Sequence, residues 1–138
     1  MRARHEPRQG GFMDFEYTID PKAGLIFTRF QGKVNVQGLI ECLKKIYADP
    51  QFKRGMNSVN DLRSAVLDWE YEDFERFRAF IQSVEEMRGN CRWAIILTGG
   101  ATYVSARIAM VIAQAHGLGI EARLFESDED AIAWVKGN

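Results

Sequence analysis

Hydrophobic and polar residues alternate with a period of two along the first part of the chain. Over residues 14–20 every second side chain is apolar, which is typical of a strand with one buried face. Residues 25–30 are predicted to be the return strand, because turn-forming residues separate the two segments. Apolar side chains then recur at helical spacing over residues 36–46, and Asn35 is placed to cap that helix. The pattern predicts a β-hairpin followed by a helix.

Farther along the chain, short apolar runs alternate with helical periodicity. Residues 57–62 are predicted to form a strand, and the spacing of apolar residues over 74–84 predicts a helix after it. Residues 93–97 are a continuous apolar run, which is typical of a strand covered on both faces. A glycine pair leads into a predicted helix over residues 102–116, and a last strand and helix follow. The predicted order is β-β-α-β-α-β-α-β-α.

This order predicts a single-domain α/β protein with a mixed five-stranded sheet flanked by four helices. Strands that are separated by helices pair in parallel through right-handed crossovers, and the first hairpin adds an antiparallel edge. In such sheets, ligands bind beyond the carboxyl ends of the strands. Here those ends are residues 61–64 and 98–100, and both lead towards helix starts.

The first twelve residues differ in composition from the rest of the chain. They contain three arginines and a histidine but almost no apolar side chain, so they cannot offset the entropy lost on ordering. We therefore predict a flexible basic N-terminal extension over residues 1–12 and a folded domain over residues 13–138. A contact of the extension with phosphates or a partner is the alternative.

Composition and charge exclude several classes of protein. The net charge of -1 gives no general argument for nucleic-acid binding. No apolar run approaches the roughly 18 residues that an integral membrane helix requires, and the N-terminus lacks the apolar segment of a secretory signal. Cys42 and Cys91 lie on different predicted elements and have no metal-binding spacing, so we expect two free thiols in a cytoplasmic protein.

Five short segments of the chain occur in the order and spacing of a known family. They are residues 17–21 (YTIDP), 30–34 (FQGKV), 49–52 (DPQF), 61–63 (DLR) and 126–135. On these segments the chain resembles the SpoIIAA-like proteins of the STAS superfamily, which are related in fold to CRAL-TRIO lipid-binding domains. The resemblance covers residues 13–136. It implies a STAS-like fold and a role in regulation or binding, and it implies no reaction.

Better-known members of this superfamily are anti-anti-sigma factors that are switched by phosphorylation of a serine at a helix start. This sequence departs from that pattern. Ser64 directly follows the segment 61–63, and the next helix start carries four carboxylates within residues 68–73. These carboxylates would repel a phosphate. We interpret Ser64 as a turn or capping serine and do not expect the phospho-switch.

Residues at the carboxyl edge of the predicted sheet are the candidates for contact with a ligand or partner. They are Asp61, Arg63, Ser64, Trp69, Gly99, Gly100 and Thr102. Asp61 and Arg63 either orient a ligand or pair with neighbouring side chains. The amides after the glycine pair either hold an anion or form a tight turn. The carboxylates of residues 68–73 either form an acid or metal site or favour the positive end of the helix dipole. We assign no catalytic residue, metal or cofactor.

The predicted helix over residues 102–116 is apolar around much of its circumference. Such a helix either packs between two layers or leaves one face for a partner. We predict a homodimer interface that includes Tyr103, Val104, Ile108, Met110 and Val111. A molecular mass that stays monomeric at every concentration in light scattering would refute it.

Three classes of function follow from the sequence. The first is a non-enzymatic regulatory or protein-interaction module that self-associates. The second is a carrier of a small apolar or lipid-like molecule, which the CRAL-TRIO relationship and the aromatic side chains of residues 69–77 suggest. An enclosed apolar cavity would favour this carrier. The third is an enzyme that uses Asp61 or Arg63, which requires a cleft that joins a base and a nucleophile. We rank them in this order.

Overall fold

A computed structural model describes residues 3–7, 13–98, 100, 104, 107 and 117–137 of the protein. Within these residues the strands are β1 (Ala3–Pro7), β2 (Met13–Asp20), β3 (Leu25–Lys33), β4 (Asn57–Val66), β5 (Cys91–Ile96) and β6 (Ile120–Phe125). The helices are α1 (Val36–Ala48), α2 (Tyr71–Ser83), the single turn α3 (Glu85–Arg88) and α4 (Asp128–Val135). The predicted helix over 102–116 lies outside the described residues except for Val104 and Arg107, which are helical.

The strands form one mixed sheet in the order β1-β2-β3-β4-β5-β6. The pairs β1–β2 and β2–β3 are antiparallel, whereas β3, β4, β5 and β6 are parallel neighbours. The mixed α/β architecture with an antiparallel hairpin at one side is therefore confirmed. None of the described helices is long and apolar enough to cross a membrane.

Within the described residues the sheet has six strands, one more than the pattern predicts. The additional strand β1 pairs with β2 from Ala3 opposite Thr18 to Pro7 opposite Asp14. This pairing corrects the prediction of a flexible segment for residues 3–7. An edge strand needs only backbone hydrogen bonds to its neighbour, so it forms without the apolar alternation on which the prediction relied.

Strand β4 is longer than predicted. The charged residues 61–63 suggest a turn, yet the strand continues to Val66 and pairs with β3 both before and after Leu62 and Arg63. Arg29 lies opposite Asp61 and Gln31 lies opposite Ser64, so β4 carries an extra residue where the register shifts. A bulge of this kind interrupts the alternation of side chains without ending the strand. Ser64 is therefore an exposed strand residue, and its interpretation as a turn or capping serine is wrong.

Side-chain hydrogen bonds stabilise the starts of α1, α2 and α4. The Asn35 Oδ1 accepts a hydrogen bond from the Gly38 amide at 2.7 Å, which confirms the predicted cap of α1. The Asp73 carboxylate accepts from the Glu70 amide at 2.9 Å at the start of α2. The Ser127 hydroxyl accepts from the Asp130 amide at 3.2 Å at the start of α4. These bonds satisfy amides that have no partner within a helix.

Helices cover both faces of the sheet. On one face, α1 and α2 pack on alternate residues of the strands, and the buried side chains there include Phe15, Ile46 and Ile81. On the other face, α4 packs against β4, β5 and β6, with Ala94 and Trp134 among the buried residues. The sheet thus separates two apolar layers, and any internal site must lie in one of them.

Candidate functional site

A cavity of about 100 Å³ lies between the sheet and helices α1 and α2. Most of the side chains that line it are apolar. Its wall includes Ile26, Phe30, Leu43, Ile46, Leu62 and Phe77. The cavity lies in the layer opposite α4, and its wall reaches Leu62 and Trp69 at the carboxyl end of β4.

The strand pleat explains which sheet residues reach the cavity. Successive side chains of a strand point to opposite faces, so every second residue faces α1 and α2. On β3 these are Ile26, Thr28 and Phe30, and alternate residues of β4 and β5 follow the same rule. From Ile26 to Phe30 the strand rises about 13 Å. A cavity of about 100 Å³ that extends along this part of the strand is narrow. It has room for a short aliphatic chain or a single aromatic ring.

The polar side chains on the sheet side of the cavity are already satisfied by one another. The Thr28 hydroxyl donates to the Asn60 Oδ1 at 2.9 Å, and the Asn60 Nδ2 donates to the Ser58 hydroxyl at 2.9 Å. The same amide nitrogen also donates to the Ala94 carbonyl at 3.1 Å. This chain of bonds joins β3, β4 and β5 beneath the cavity. It leaves the sheet side with little unused hydrogen-bonding capacity for a ligand.

Aromatic side chains form part of the cavity wall, from Trp69 beyond the carboxyl end of β4 to Trp93 in the first half of β5. The Trp69 indole donates to the Val34 carbonyl at 2.9 Å, which fixes the orientation of the ring. Its centroid lies 5.5 Å from that of Phe77, which in turn lies 6.2 Å from that of Trp93. Trp69 is the only described residue of the predicted contact set that lines the cavity. Its indole nitrogen is used within the chain, so it offers a ligand an apolar surface.

Arg88 lines the cavity near the amino ends of the parallel strands and is 1% exposed. Its Nη1 donates to the Gly89 carbonyl at 2.9 Å, and its Nη2 donates to the carbonyls of Leu118 at 2.8 Å and Ile81 at 3.3 Å. Its Nε has no hydrogen-bond partner among the described residues. Across the part of the chain that the structure describes, no carboxylate forms an ion pair with it.

Tyr47 and Cys91 line the cavity close to Arg88. Burial raises the pKa of the Tyr47 hydroxyl, and the nearby Cys91 adds to the rise while the charge of Arg88 opposes it. Burial also raises the pKa of the Cys91 thiol, although the charge of Arg88 and hydrogen bonds with the Arg88 and Trp93 side chains oppose this rise. Both groups are therefore protonated at neutral pH. A protonated, buried thiol is a poor nucleophile.

The charged residues at the carboxyl edge of β4 lie on the opposite face of the sheet. Asp61 accepts hydrogen bonds from the Arg63 amide at 3.0 Å and from its guanidinium at 2.9 Å and 3.0 Å. Arg63 also contacts Asp128 at 2.8 Å, and Arg29 joins Asp61 to Glu16. The charges alternate in sign along this network. Asp61 and Arg63 are thus engaged with neighbouring side chains, which is one of the two alternatives that the sequence leaves open.

We expect the stability contribution of Asp61 to depend on pH. Burial alone would raise the pKa of Asp61, but hydrogen bonds and charge from Arg63, with the charge of Arg29, lower the pKa below the ordinary value of an aspartate. A lowered folded pKa stabilises the native state above the unfolded pKa, and this stability is lost as pH falls through the folded pKa. At neutral pH, Asp61→Asn should lower the free energy of unfolding by about 0.5–1 kcal/mol. Urea unfolding at neutral and acidic pH measures the difference.

The control for this prediction is Asp128→Asn, which breaks the outer contact of Arg63 and leaves the bonds between Arg63 and Asp61 in place. Asp128 is 61% exposed, so its removal should change stability less than removal of Asp61. A difference between the wild type and Asp61→Asn that stays constant down to about pH 2 would contradict the assignment.

The structure describes only some of the predicted contact and interface residues near the glycine pair. Gly100 has φ of +95°, a conformation that favours glycine, and its carbonyl accepts from the Val104 amide at 3.3 Å. This supports a tight strand-to-helix turn. Val104 is 57% exposed. The remaining predicted residues of this region lie outside the described residues: Gly99, Thr102, Tyr103, Ile108, Met110 and Val111. The homodimer interface therefore stays a prediction.

The acidic residues before and within the first turn of α2 do not gather into a metal-binding cluster. No group of three His, Cys, Asp or Glu side chains in the described ranges could hold a metal ion. Asp73 instead caps the helix, and Glu72 lies in the same first turn, where a negative charge is favourable.

No protein-family model matches the chain, and no curated protein matches it in sequence. Its structure is similar to the crystal structure of an uncharacterised protein of the DUF3478 family from Shewanella loihica PV-4, which has a SpoIIAA-like fold. The two share 15% sequence identity over 97% of this chain and 92% of the other, with a TM-score of 0.52. This similarity concerns the fold alone. The protein therefore has a SpoIIAA-like fold, as the resemblance in its sequence implies.

Proposed function

We propose that this protein is a non-enzymatic binding module that takes up a small apolar or amphipathic molecule in the cavity between the sheet and helices α1 and α2. The observation that supports the proposal is the cavity itself, whose wall is mostly apolar and whose polar sheet residues are paired with one another. The cavity therefore favours a carrier over the protein-interaction module that ranks first from the sequence alone.

The volume and chemistry of the cavity support this choice. Protein interiors are close-packed, so voids that exceed one water molecule are few. An engineered apolar cavity of about 150 Å³ in another protein stays dry and binds benzene. The cavity here, at about 100 Å³, is of the same order. A ligand that fills it would gain dispersion contacts that the empty wall lacks.

A regulatory role is compatible with this proposal. A ligand in the cavity stabilises the conformation of the protein that binds it. The ligand would then control whether this conformation presents a surface to a partner protein. The proposal also includes the cytoplasmic location that the sequence suggests. Both cysteines are free and buried, and a reducing compartment keeps thiols in that state.

Titration with toluene tests the proposed function. Trp69 and Trp93 line the cavity, so we expect toluene to change the tryptophan fluorescence with a saturable dependence on concentration. We also expect it to raise Tm, because a ligand at about 100 times its Kd stabilises a protein by about 2.7 kcal/mol. If toluene at saturation in water changes neither signal, the proposal is wrong.

Two tryptophan variants provide the matched controls. Trp134 packs under α4 on the opposite face of the sheet, so Trp134→Phe should leave the fluorescence response to toluene unchanged. Trp93→Phe removes a reporter at the cavity wall and should reduce the response. The reverse result would place toluene in the layer beneath α4.

A further inference from the structure

The guanidinium of Arg88 is a buried positive charge without a negative partner among the described side chains. Taking a cation out of water is costly unless it is paired and hydrogen-bonded. Arg88 is 1% exposed, and three backbone carbonyls accept from its Nη1 and Nη2. These carbonyls carry partial charges, so they orient the group without neutralising it. Within the described ranges the Nε has no partner by geometry, the Arg88 side chain also contacts the Cys91 thiol, and Arg88 lines the cavity.

A purely structural role accounts for part of this arrangement. The three carbonyls belong to the end of α2, the turn before β5 and the turn before β6, so Arg88 links three segments. That role uses the two terminal nitrogens and leaves the Nε unsatisfied. A buried polar atom without a partner costs about 1–3 kcal/mol, so its occurrence beside a cavity points to a group supplied from outside the chain.

We propose that the ligand of this cavity is a small monocarboxylic acid whose carboxylate binds the Arg88 guanidinium. The inference rests on the proposed function and specifies the class of ligand. A carboxylate oxygen that accepts from the Nε supplies both the missing hydrogen bond and the missing negative charge. The hydroxyl of Tyr47 and the thiol of Cys91 lie near Arg88 and are protonated, so neither adds a competing negative charge.

The strand register sets the orientation of the acid. Arg88 lies just before β5, whose Trp93 is opposite Ser58 near the start of β4. The carboxylate therefore lies at the amino ends of the parallel strands. The apolar body extends along the strands towards Trp69, which follows the end of β4. The narrow volume limits this body to a single ring or a short chain.

Two pairs of probes test the inference on the unmodified protein: benzoate with benzamide, and hexanoate with hexanamide. Each pair differs mainly in charge. Calorimetry should give a Kd at least tenfold lower for each acid than for its amide, because a hydrogen bond to a charged group is about twice as strong as a neutral one. Equal or weaker binding of the acids overturns this inference. If toluene still binds in that case, the proposed function stands, whereas binding of neither toluene nor any probe rejects both.

Two further measurements locate the carboxylate. Benzoate should shift the Nε–H resonance of Arg88 in a nitrogen-15 spectrum, and benzamide should shift it less. In Arg88→Met, provided that its circular dichroism is native, the preference for benzoate should disappear while the Kd of benzamide changes by less than about threefold. The variant Arg88→Lys keeps the charge and should retain part of the preference. An unshifted Nε resonance, or a preference that survives in Arg88→Met, contradicts the assignment to Arg88.

Discussion

An Ala122→Leu variant should lose toluene binding by at least about 30-fold while its free energy of unfolding stays within about 1 kcal/mol of the wild type. Ala122 on β6 is 6% exposed and lines the cavity, so the three added carbon atoms enter existing empty space. A ligand and the larger side chain would then compete for the same volume. If toluene entered the cavity beside the new leucine, the site would be overpacked, and this would weaken binding by about 1–3 kcal/mol. Fluorescence titration and urea unfolding measure the two effects.

The matched control is Ala94→Leu on the neighbouring strand β5. Ala94 is 0% exposed and points to the opposite face, where it packs with Trp134 and Val135 beneath α4. The same substitution should therefore lower the free energy of unfolding by about 1–3 kcal/mol and leave the toluene affinity unchanged. If Ala122→Leu destabilises the protein as much as Ala94→Leu and toluene still binds, the space beside Ala122 is not the binding site.

An Asn57→Ala variant should lower the free energy of unfolding by about 2–4 kcal/mol. The Asn57 Nδ2 donates to the Val135 carbonyl at 2.9 Å, and its Oδ1 accepts from the Arg92 amide at 2.7 Å. One side chain on β4 thus joins β5 and the end of α4. Alanine would leave a donor and an acceptor unsatisfied, and each costs about 1–3 kcal/mol when buried. Urea unfolding, followed by circular dichroism, gives the difference in stability.

Asn35→Ala is the comparison for this prediction. Asn35 makes a single capping bond to the Gly38 amide, and loss of such a cap costs about 1 kcal/mol. We expect Asn57→Ala to exceed it by at least about 1 kcal/mol. Equal effects of the two substitutions would mean that water replaces the lost partners of Asn57.

The fold was largely predictable because its signals are local. Alternation over residues 14–20, the cap at Asn35 and the apolar run over residues 93–97 each depend on a few neighbouring side chains. β1 and the end of β4 were not predictable in this way. Both depend on backbone pairing with another strand, and a sequence pattern does not show which strand lies alongside.

The site was mostly not predictable, because it depends on what the fold leaves empty. Trp69 is among the predicted contact residues, and the aromatic side chains of residues 69–77 suggest an apolar ligand, but no pattern shows that a cavity lies beside them. Arg88 comes just before Gly89 at the end of a helix, where the helix dipole favours a positive charge. In most proteins an arginine at such a position lies in solvent. No sequence pattern shows that its side chain turns inward to carbonyls as distant as that of Leu118. Asp61 and Arg63 were the more conspicuous charges, and they pair within the chain.

The order of the strands in the sheet has a consequence for folding. Each described strand after β1 pairs with its predecessor along the chain, so none of these strands has to be inserted between two that have already met. The parallel pairs close similar lengths of chain: Leu25 meets Asn57, Ser58 meets Trp93, and Cys91 meets Ile120. Loop-closure entropy grows with the logarithm of length, so these three closures differ by only about 0.2 kcal/mol. Chain entropy thus gives no parallel pair priority, and the side chains that pack first determine where the sheet begins to grow.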